Sequence, residues 1–440
     1  MSIEEIYGRY LGCGGVVTTD SRAVKGGEMF IALKGENFDG NAYAAKALDA
    51  GAACAVVDSG SEAGKSDDPR IIAVEDTFVL LKQLANYHRH HCLGERHLPI
   101  LGLTGTNGKT TTKELIRAVL SRKYNIVATE GNLNNDIGVP LSLLKIRPDT
   151  EMAVIEMGAN HPDDIKHLVE VCEPDFGLIT TVGKAHLLGF GSFEGVKRAK
   201  GQLYDFISER GGEIFVNVDD ADIKEMSETR KGLSIIPYGL DYSGSAVVPP
   251  TPESPFLTIS LGDKTISTHL VGAYNAVNVI AAMCVGIHFE VPAEECIAAI
   301  ESFVPTNNRS QMQKTENNIL VLDAYNANPS SMAAALDSFA MMETPDRTAL
   351  LGDMRELGEN SVQEHVKVLG QLEAAGLKAF LVGDEFGKAL ACKGACPCVL
   401  GHFNTSHELA AYLKDYPLKD CCVLVKGSRG IQMEKVIPSL

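Results

Sequence analysis

Ile100-Leu-Gly-Leu-Thr-Gly-Thr-Asn-Gly-Lys-Thr-Thr-Thr112 reads as an apolar strand that passes through a glycine turn into a helix. Gly105 and Gly108 allow the backbone N–H groups of the turn, those of Thr106 and Asn107 included, to point inward at phosphate oxygens. Lys109 adds a mobile positive charge suited to the β- and γ-phosphates. The Thr110 hydroxyl can ligate magnesium. The strict G-x4-G-K-[ST] spacing is not met, because Leu103 stands at the first glycine position; the pattern present is G-x2-G-x2-G-K-T from Gly102 to Thr110. A glycine-rich turn without a ligand is the plainer alternative. The strand before and the helix after favour a nucleoside triphosphate site.

A magnesium triphosphate needs further ligands at neighbouring strand ends. Met152-Ala-Val-Ile-Glu-Met-Gly158 delivers Glu156 to the end of one apolar run, and Thr180-Thr-Val-Gly-Lys-Ala-His186 places His186 in the loop after the next. Alone, Glu156 reads equally as a salt-bridge partner and His186 as a buried hydrogen-bond donor. Following successive strands of one sheet, both become candidate metal ligands. Lys200, in Lys197-Arg-Ala-Lys-Gly-Gln202, reads by itself as a solvated helix lysine.

The apolar runs 100–103, 126–128, 153–155, 177–180 and 214–218 are each followed by turn residues, the pattern of a parallel α/β sheet. Upstream, 1–98 mixes short strands (29–33, 53–57, 71–74) with a small-residue helix over 42–50. The stretch 257–270 alternates polar and apolar residues, which predicts an antiparallel edge near the end of the central domain, 99–305. Val304-Pro-Thr-Asn-Asn-Arg-Ser310 is polar and turn-rich and marks the next boundary. Beyond it, 319–322, 349–351, 379–382 and 422–425 resume the α/β rhythm across 306–440. The expected fold is α/β in three domains: an N-terminal α+β unit, a central P-loop parallel-sheet unit and a C-terminal Rossmann-like unit.

The 440 residues carry 40 basic against 57 acidic side chains, a net charge of −17, which disfavours nucleic acid and anionic membranes as general partners. The uncharged run 265–289 is long enough to raise a membrane question. Asn275, Asn278, His269 and His288 make it too polar for a span, so it reads as a strand end followed by a buried helix. The start MSIEEIYGRYLG has no secretory pattern, and eleven scattered cysteines suit reduced thiols; together they predict a cytoplasmic protein, expected to be a monomer. Cys392, Cys396 and Cys398, with His402 beyond, match no common zinc spacing. His88, His90, His91 and His97 close an apolar helical pattern and read as a solvated helix end.

At Gly105-Thr-Asn-Gly-Lys-Thr-Thr111, Glu156-Met-Gly-Ala159 and Gly183-Lys-Ala-His186 with Ala199-Lys200, the chain resembles the Mur ligases, the ATP-dependent amide ligases of peptidoglycan precursor synthesis. Thr129-Glu-Gly-Asn-Leu-Asn-Asn-Asp-Ile-Gly-Val-Pro140, Asp323-Ala-Tyr-Asn-Ala-Asn-Pro329, Leu351-Gly-Asp-Met-Arg-Glu-Leu-Gly358 and Val425-Lys-Gly-Ser-Arg429 are similar to the dipeptide-adding branch of that family. Asp20-Ser-Arg22 and Phe30-Ile-Ala-Leu-Lys-Gly35 resemble its UDP-binding domain. The resemblance therefore runs in order through essentially the whole chain.

The resemblance implies that a carboxylate of UDP-N-acetylmuramoyl-tripeptide takes the γ-phosphoryl of ATP, and that the amine of D-alanyl-D-alanine then attacks the acyl phosphate. It gives catalytic roles to Lys109, Glu156, His186 and Lys200. Two magnesium ions would be held by Thr110, Glu156, His186 and Lys200, the last as a carbamate. ATP would lie on the loop from Gly105 to Thr111 and on Asn275, Asn278, Arg309, Asp323, Tyr325 and Asn326. The nucleotide–peptide substrate would meet Ser21, Arg22, Lys34, Asn134 and Asn135. Because these ATP positions lie on both sides of 304–310, the third domain is expected to close over bound nucleotide.

Four positions depart from the family pattern. Tyr274 stands where histidine is frequent, Asn308 where glycine is usual, Gln202 where an acid is common, and Asn41 where histidine often follows Asp39-Gly40. Two rival readings stand beside the dipeptide-adding ligase: another amide ligase of the same superfamily, and a nucleotide-binding protein without catalysis on the same fold.

Overall fold

The computed structural model describes all 440 residues except Pro252, Glu253, Asn307 and Pro345. Asn307, inside the expected boundary stretch, therefore lies outside the described residues.

Six parallel strands form the central sheet, in the spatial order Ser234–Tyr238, Glu213–Asn217, Phe176–Ile179, Ile100–Thr104, Met152–Glu156 and Ile126–Ala128. The chain builds one side of Ile100–Thr104 and then crosses to the other at Phe176–Ile179. The carboxyl end of Ile100–Thr104 is thus a topological switch point, where loops diverge and leave a crevice. Every residue of Ile100–Thr104 and of Met152–Glu156 is buried. Both strands are consequently apolar up to their last residues, Thr104 and Glu156, rather than alternating.

The uncharged run folds as expected into a core helix, Ala276–His288, which packs on the phosphate-loop helix Lys109–Leu120. Its Val279, Ile280 and Met283 share one apolar cluster with Leu115, Ile116 and Val119. Gly286 permits the close approach, since a Cβ there would stand 2.4 Å from the Val119 side chain. Burial of each such aliphatic side chain contributes about 1.5–3 kcal/mol. No described helix is long and apolar enough to cross a membrane.

The alternating stretch is not an edge of the central sheet. Thr258–Leu261 and Lys264–Ser267 pair with Ser245–Val248 as a separate three-stranded antiparallel sheet. The edge position belongs to Ser234–Tyr238, a strand that the sequence pattern leaves hidden. Pro237 within it lowers its strand signal, and a proline is tolerated there because an edge strand has one unpaired side.

The first unit is built on four parallel strands, Val17–Thr18, Met29–Ile31, Cys54–Asp58 and Ile71–Val74, with antiparallel pairing confined to Lys34–Gly35 and Phe38–Asp39. Helix Thr77–His91 docks it on the central unit. Asp76 caps that helix by accepting from Phe78 N at 2.8 Å and Val79 N at 2.9 Å. Its Leu81 and Leu84 continue into a cluster containing Val139, Leu143 and Ile165. The helix end is solvated as expected at His90, His91 and His97, but not at His88. His88 is buried, 3.2 Å from Tyr7 OH and 2.9 Å from the Ile146 carbonyl. His90 pairs with Glu173 at 3.3 Å yet stays exposed, as do His91 and His97. The burial of His88 is tertiary, set by Tyr7 and Ile146, while Glu173 also takes Asn86 and buried Arg89 from the same helix.

The last unit is a six-stranded sheet in the order Gln311–Lys314, Asn318–Asp323, Cys421–Lys426, Arg347–Gly352, Lys378–Val382 and Val399–Phe403, parallel except for its first pair. Register sets Asp323 beside Lys426 at the carboxyl ends of neighbouring strands. Those ends face the crevice of the central sheet across a shared cleft.

Candidate active site

The cleft has a volume of about 930 Å³ and is lined from both sheets. Gly105 takes φ 151° and Gly108 φ 82°, and a Cβ on either would run into Thr180 Oγ1 (2.0 Å) or Asn278 Oδ1 (2.6 Å). Glycine is therefore required at both positions. The loop is held from the next strand's end: Thr106 N donates to Thr181 O at 2.8 Å, Asn107 N to Thr181 Oγ1 at 2.9 Å, and Thr180 Oγ1 to Asn107 O at 2.6 Å. Lys109 Nζ curls back on the loop, donating to Gly105 O at 2.8 Å and Thr106 O at 3.2 Å.

Register places Glu156 opposite Leu103, one residue before Thr104 and the loop. Its Oε1 accepts from Thr110 Oγ1 at 3.2 Å and from Asn134 Nδ2 at 2.8 Å. Its Oε2 is buried without a hydrogen-bond partner among the described residues. A buried carboxylate oxygen left bare is costly unless a cation meets it. Thr110 and Glu156 thus form an oxygen donor pair that fits a hard divalent ion such as magnesium beside a triphosphate.

Two lysines converge behind this pair. Lys200 is 3% exposed, and its Nζ donates to Gly105 O at 3.0 Å. Burial, and then the like charge of Lys109, hold Lys200 well below the ordinary lysine range. Lys109 is also lowered, by desolvation first; nearby Glu156 opposes the shift and Arg309 adds to it. His186 has φ 51°, in the left-handed region, and its Nδ1 meets the carboxylate of Glu356 from the third unit. Burial lowers His186 in spite of Glu356, with Lys109 and Lys200 acting in the same direction as burial. A neutral imidazole is the metal-binding form.

Around the loop, Asn278 Oδ1 accepts from Thr112 Oγ1 at 3.0 Å, and Asn278 Nδ2 donates to Asn275 Oδ1 at 3.0 Å. Asn275 Nδ2 reaches Ser310 Oγ at 2.9 Å. From the third unit, the Arg309 guanidinium lies 3.6 Å over the Tyr325 ring, and Arg429 donates to Tyr325 OH at 3.1 Å. Arg309 Nε is buried without a partner among the described residues, a second orphan that an anionic ligand would satisfy. Asp323 Oδ2 takes Lys426 Nζ at 2.5 Å, and Asn326 O lies 3.4 Å from the same ammonium.

The cleft thus gathers Thr106, Asn107, Gly108, Lys109, Thr110, Thr111, Glu156, His186, Asn134, Asn135, Asn275, Asn278, Arg309, Asp323, Tyr325 and Asn326. Asn135 has a structural duty there as well, since its Oδ1 accepts from Gly138 N at 2.9 Å and starts helix Gly138–Leu143. Lys200 is not the solvated lysine its local sequence suggests; it sits behind the loop and does not line the cleft. Ser21, Arg22 and Lys34 lie outside the cleft on the first unit, Arg22 paired with Asp20 at 2.7 Å and Lys34 with Asp58 at 3.1 Å.

All four departures are accommodated, and Gln202 donates from Nε2 to Asp163 Oδ1 at 2.7 Å and accepts from Lys166 N at 3.1 Å. Asn308 takes φ 51°, a conformation that glycine adopts freely and asparagine tolerates. Asn41 is buried and bonded to Asp39 and Asp58. Tyr274 OH meets Ser310 Oγ at 3.0 Å.

Sequence reasoning assigns no role to Asn328, Ser330, Lys426 or Arg429. Asn328 Nδ2 donates to Asn107 Oδ1 at 2.8 Å and Asn107 Nδ2 to Ser330 Oγ at 2.9 Å, which ties the third unit to the phosphate loop. The helix start is readable, because Asn328 caps Pro329–Ala340 with Pro329 as its first residue. Its meeting with Asn107 is not.

A phosphate loop at the switch point of one parallel sheet, facing a second α/β sheet that supplies an arginine and an aspartate across the same cleft, is the arrangement of an ATP-using enzyme. Residues 103–286 match the Mur ligase middle domain, 308–429 the Mur ligase glutamate ligase domain, and 15–94 the Mur ligase family catalytic domain. The chain belongs to the Mur ligase family. It is 34% identical over 433 residues to the UDP-N-acetylmuramoyl-tripeptide–D-alanyl-D-alanine ligase of Escherichia coli K12, covering 96% of this chain and 93% of that one. Its fold is similar to MurF from Acinetobacter baumannii, with a TM-score of 0.83 at 30% identity over 96% of this chain and 92% of that one. It is likewise similar to MurF ligase from Thermotoga maritima in complex with ADP, with a TM-score of 0.81 at 25% identity over 96% of each chain.

Proposed function

We propose that this chain is an ATP-dependent amide ligase that joins D-alanyl-D-alanine to UDP-N-acetylmuramoyl-tripeptide in peptidoglycan precursor synthesis, acting as a monomer in the cytoplasm. The observation that carries the chemistry is that Lys109, Thr110 and Glu156 line one cleft, with Thr110 bonded to Glu156 and the Oε2 of Glu156 buried and bare among the described residues. The two substrates follow from the names of full-length relatives.

A carboxylate oxygen of the tripeptide attacks the γ-phosphorus of ATP, and the bond from that phosphorus to ADP breaks. The amine of the dipeptide then attacks the acyl carbon. Phosphate leaves with the original carboxylate oxygen, and the amine loses its extra proton to solvent or a nearby base. Carboxylate and triphosphate repel, so cations must stand between them. Lys109 supplies one, and its position on the loop backbone keeps it where phosphoryl charge concentrates. Arg309 and Lys426 supply positive charge from the opposite wall.

Thr110 and Glu156 would hold one magnesium, and His186 with a carbamylated Lys200 a second. Bound there, the ions would neutralise developing charge on the phosphoryl oxygens. Lys200 suits carbamylation because a buried, charge-poor amine has the free lone pair that carbon dioxide requires. In its present rotamer it bonds Gly105 O, so the modified side chain must turn toward the cleft. The uridine end of the substrate is assigned to Ser21, Arg22 and Lys34, and the peptide end to the wall near Asn134 and Asn135.

The test is phosphate release and product mass with ATP, UDP-N-acetylmuramoyl-tripeptides carrying lysine or diaminopimelate, and either D-alanyl-D-alanine or single amino acids. Release that requires the dipeptide supports the reading. Release driven by a single amino acid makes the chain another amino-acid-adding ligase, and none with any pair makes it a binding protein.

A further inference from the structure

We infer that the third unit carries a binding site for one thiophilic divalent cation of the zinc class, held by Cys396, Cys398 and Glu373. One ligand atom from each lies within 4.8 Å of the others, and the two sulfurs stand 3.3 Å apart. Two thiolates on one tetrahedral zinc, at about 2.3 Å each, stand roughly 3.7 Å apart, so a small outward turn of the side chains admits the ion. Sulfur donors select zinc or cadmium over the magnesium that the cleft's oxygen donors suit.

The surroundings favour a cation. Glu373 lies in the last turn of Ser361–Ala374, and Lys393 ends Asp384–Lys393. The negative carbonyl ends of two neighbouring helices therefore face the cluster. An ammonium is already drawn there, with Lys393 Nζ 2.9 Å from Glu373 in a partly exposed pair that holds it weakly.

The cysteine spacing conceals this site, because Cys396 and Cys398 lie in the turn after Asp384–Lys393 while the third ligand comes from the earlier helix Ser361–Ala374. Cys392 is exposed and outside the group, and His402 turns away, its Nε2 bonded 2.7 Å from the Gly383 carbonyl. Cys398 directly precedes the strand Val399–Phe403, and its carbonyl accepts from Ala379 N at 2.9 Å. The cluster thus sits at the amino ends of the strands, whereas the cleft lies at their carboxyl ends, and it shares no residue with the cleft lining.

The experiment titrates reduced, chelator-stripped full-length protein with cadmium, reading the thiolate-to-cadmium ultraviolet band, and then displaces the ion with zinc. One ion per chain is expected. Cys396→Ser combined with Cys398→Ser should abolish the band, Glu373→Gln should weaken binding by at least about tenfold, and Cys392→Ser should leave it unchanged. Ligase turnover with magnesium should be equal in all of them, which shows that the variants fold. A wild-type protein without a saturable band, or a double variant that retains it, overturns the assignment.

Discussion

Lys200 donates to the carbonyl of Gly105 at 3.0 Å, the same oxygen that accepts Lys109 at 2.8 Å. One carbonyl of the phosphate loop thus anchors two lysines, one half-buried at the loop and one sealed behind it. A fold tolerates two like charges converging on one oxygen only if one of them is neutral or the pair has work to do.

Lys200→Ala is expected to be almost inactive, with turnover down on the order of a hundredfold or more. If the working form is a carbamate, a short carboxylic acid added to the assay should restore part of the rate, because it can fill the vacated space with a metal-binding group. Rescue by small amines instead would assign Lys200 as a phosphate-binding ammonium. Wild-type turnover in Lys200→Ala would remove it from the reaction altogether.

The same burial predicts a stability effect of opposite sign. A lysine whose folded pKa lies below its unfolded value leaves the folded chain with fewer bound protons. Stability therefore rises with pH between the lowered folded value and the ordinary value near 10.5, and is least at and below the folded value. Lys200→Met should melt higher than wild type at neutral pH, by at least ~2 °C, with the gap closing as pH rises through that window. Equal melting curves at every pH would show that folding does not lower the pKa of Lys200.

Much of this site was legible because it is local. The strand, glycine turn and lysine of the phosphate loop follow one another in the chain, and Glu156 ends an apolar run whose burial is complete. Lys200 defeated local reading, since its neighbours in Lys197-Arg-Ala-Lys-Gly-Gln202 look solvated while its own side chain points to a loop formed far upstream. His88 misled for the same reason, its partners being Tyr7 and Ile146. The alternating stretch 257–270 gave the right strands and the wrong sheet, because alternation reports a half-buried surface and not which partner covers it. The bridge from Asn107 to Asn328 and Ser330 depends wholly on how two units dock.

Lys109→Ala should abolish ligation, since it removes charge where the transferring phosphoryl group is most negative; the loss corresponds to several kcal/mol, on the order of 10²-fold or more. Steady-state phosphate release checks it. A variant that keeps more than about a tenth of wild-type turnover would contradict the loop assignment.

Glu156→Gln keeps the shape of the side chain and its contacts to Thr110 and Asn134 but loses the negative charge. Its magnesium requirement should shift upward by about tenfold or more, with part of the turnover recovered at high magnesium. An unchanged magnesium curve would place the ion elsewhere.

Asn107 joins Asn328 and Ser330 across the cleft, so the third unit should move onto the central one as nucleotide and substrate bind. Small-angle scattering of the free and the fully liganded protein should give a smaller radius of gyration for the latter. Asn328→Ala should weaken that difference. Identical profiles would mean that the closed arrangement persists without ligands, and closure would then have no part in excluding water from the acyl phosphate.

The central step is attack of the substrate carboxylate on ATP in this cleft, and isotope transfer reads it directly. UDP-N-acetylmuramoyl-tripeptide labelled with oxygen-18 in its terminal carboxylate, incubated with ATP and D-alanyl-D-alanine, should yield inorganic phosphate carrying one labelled oxygen for each amide formed. Amide formation with unlabelled phosphate would contradict an acyl phosphate and, with it, the catalytic roles of Lys109 and Glu156.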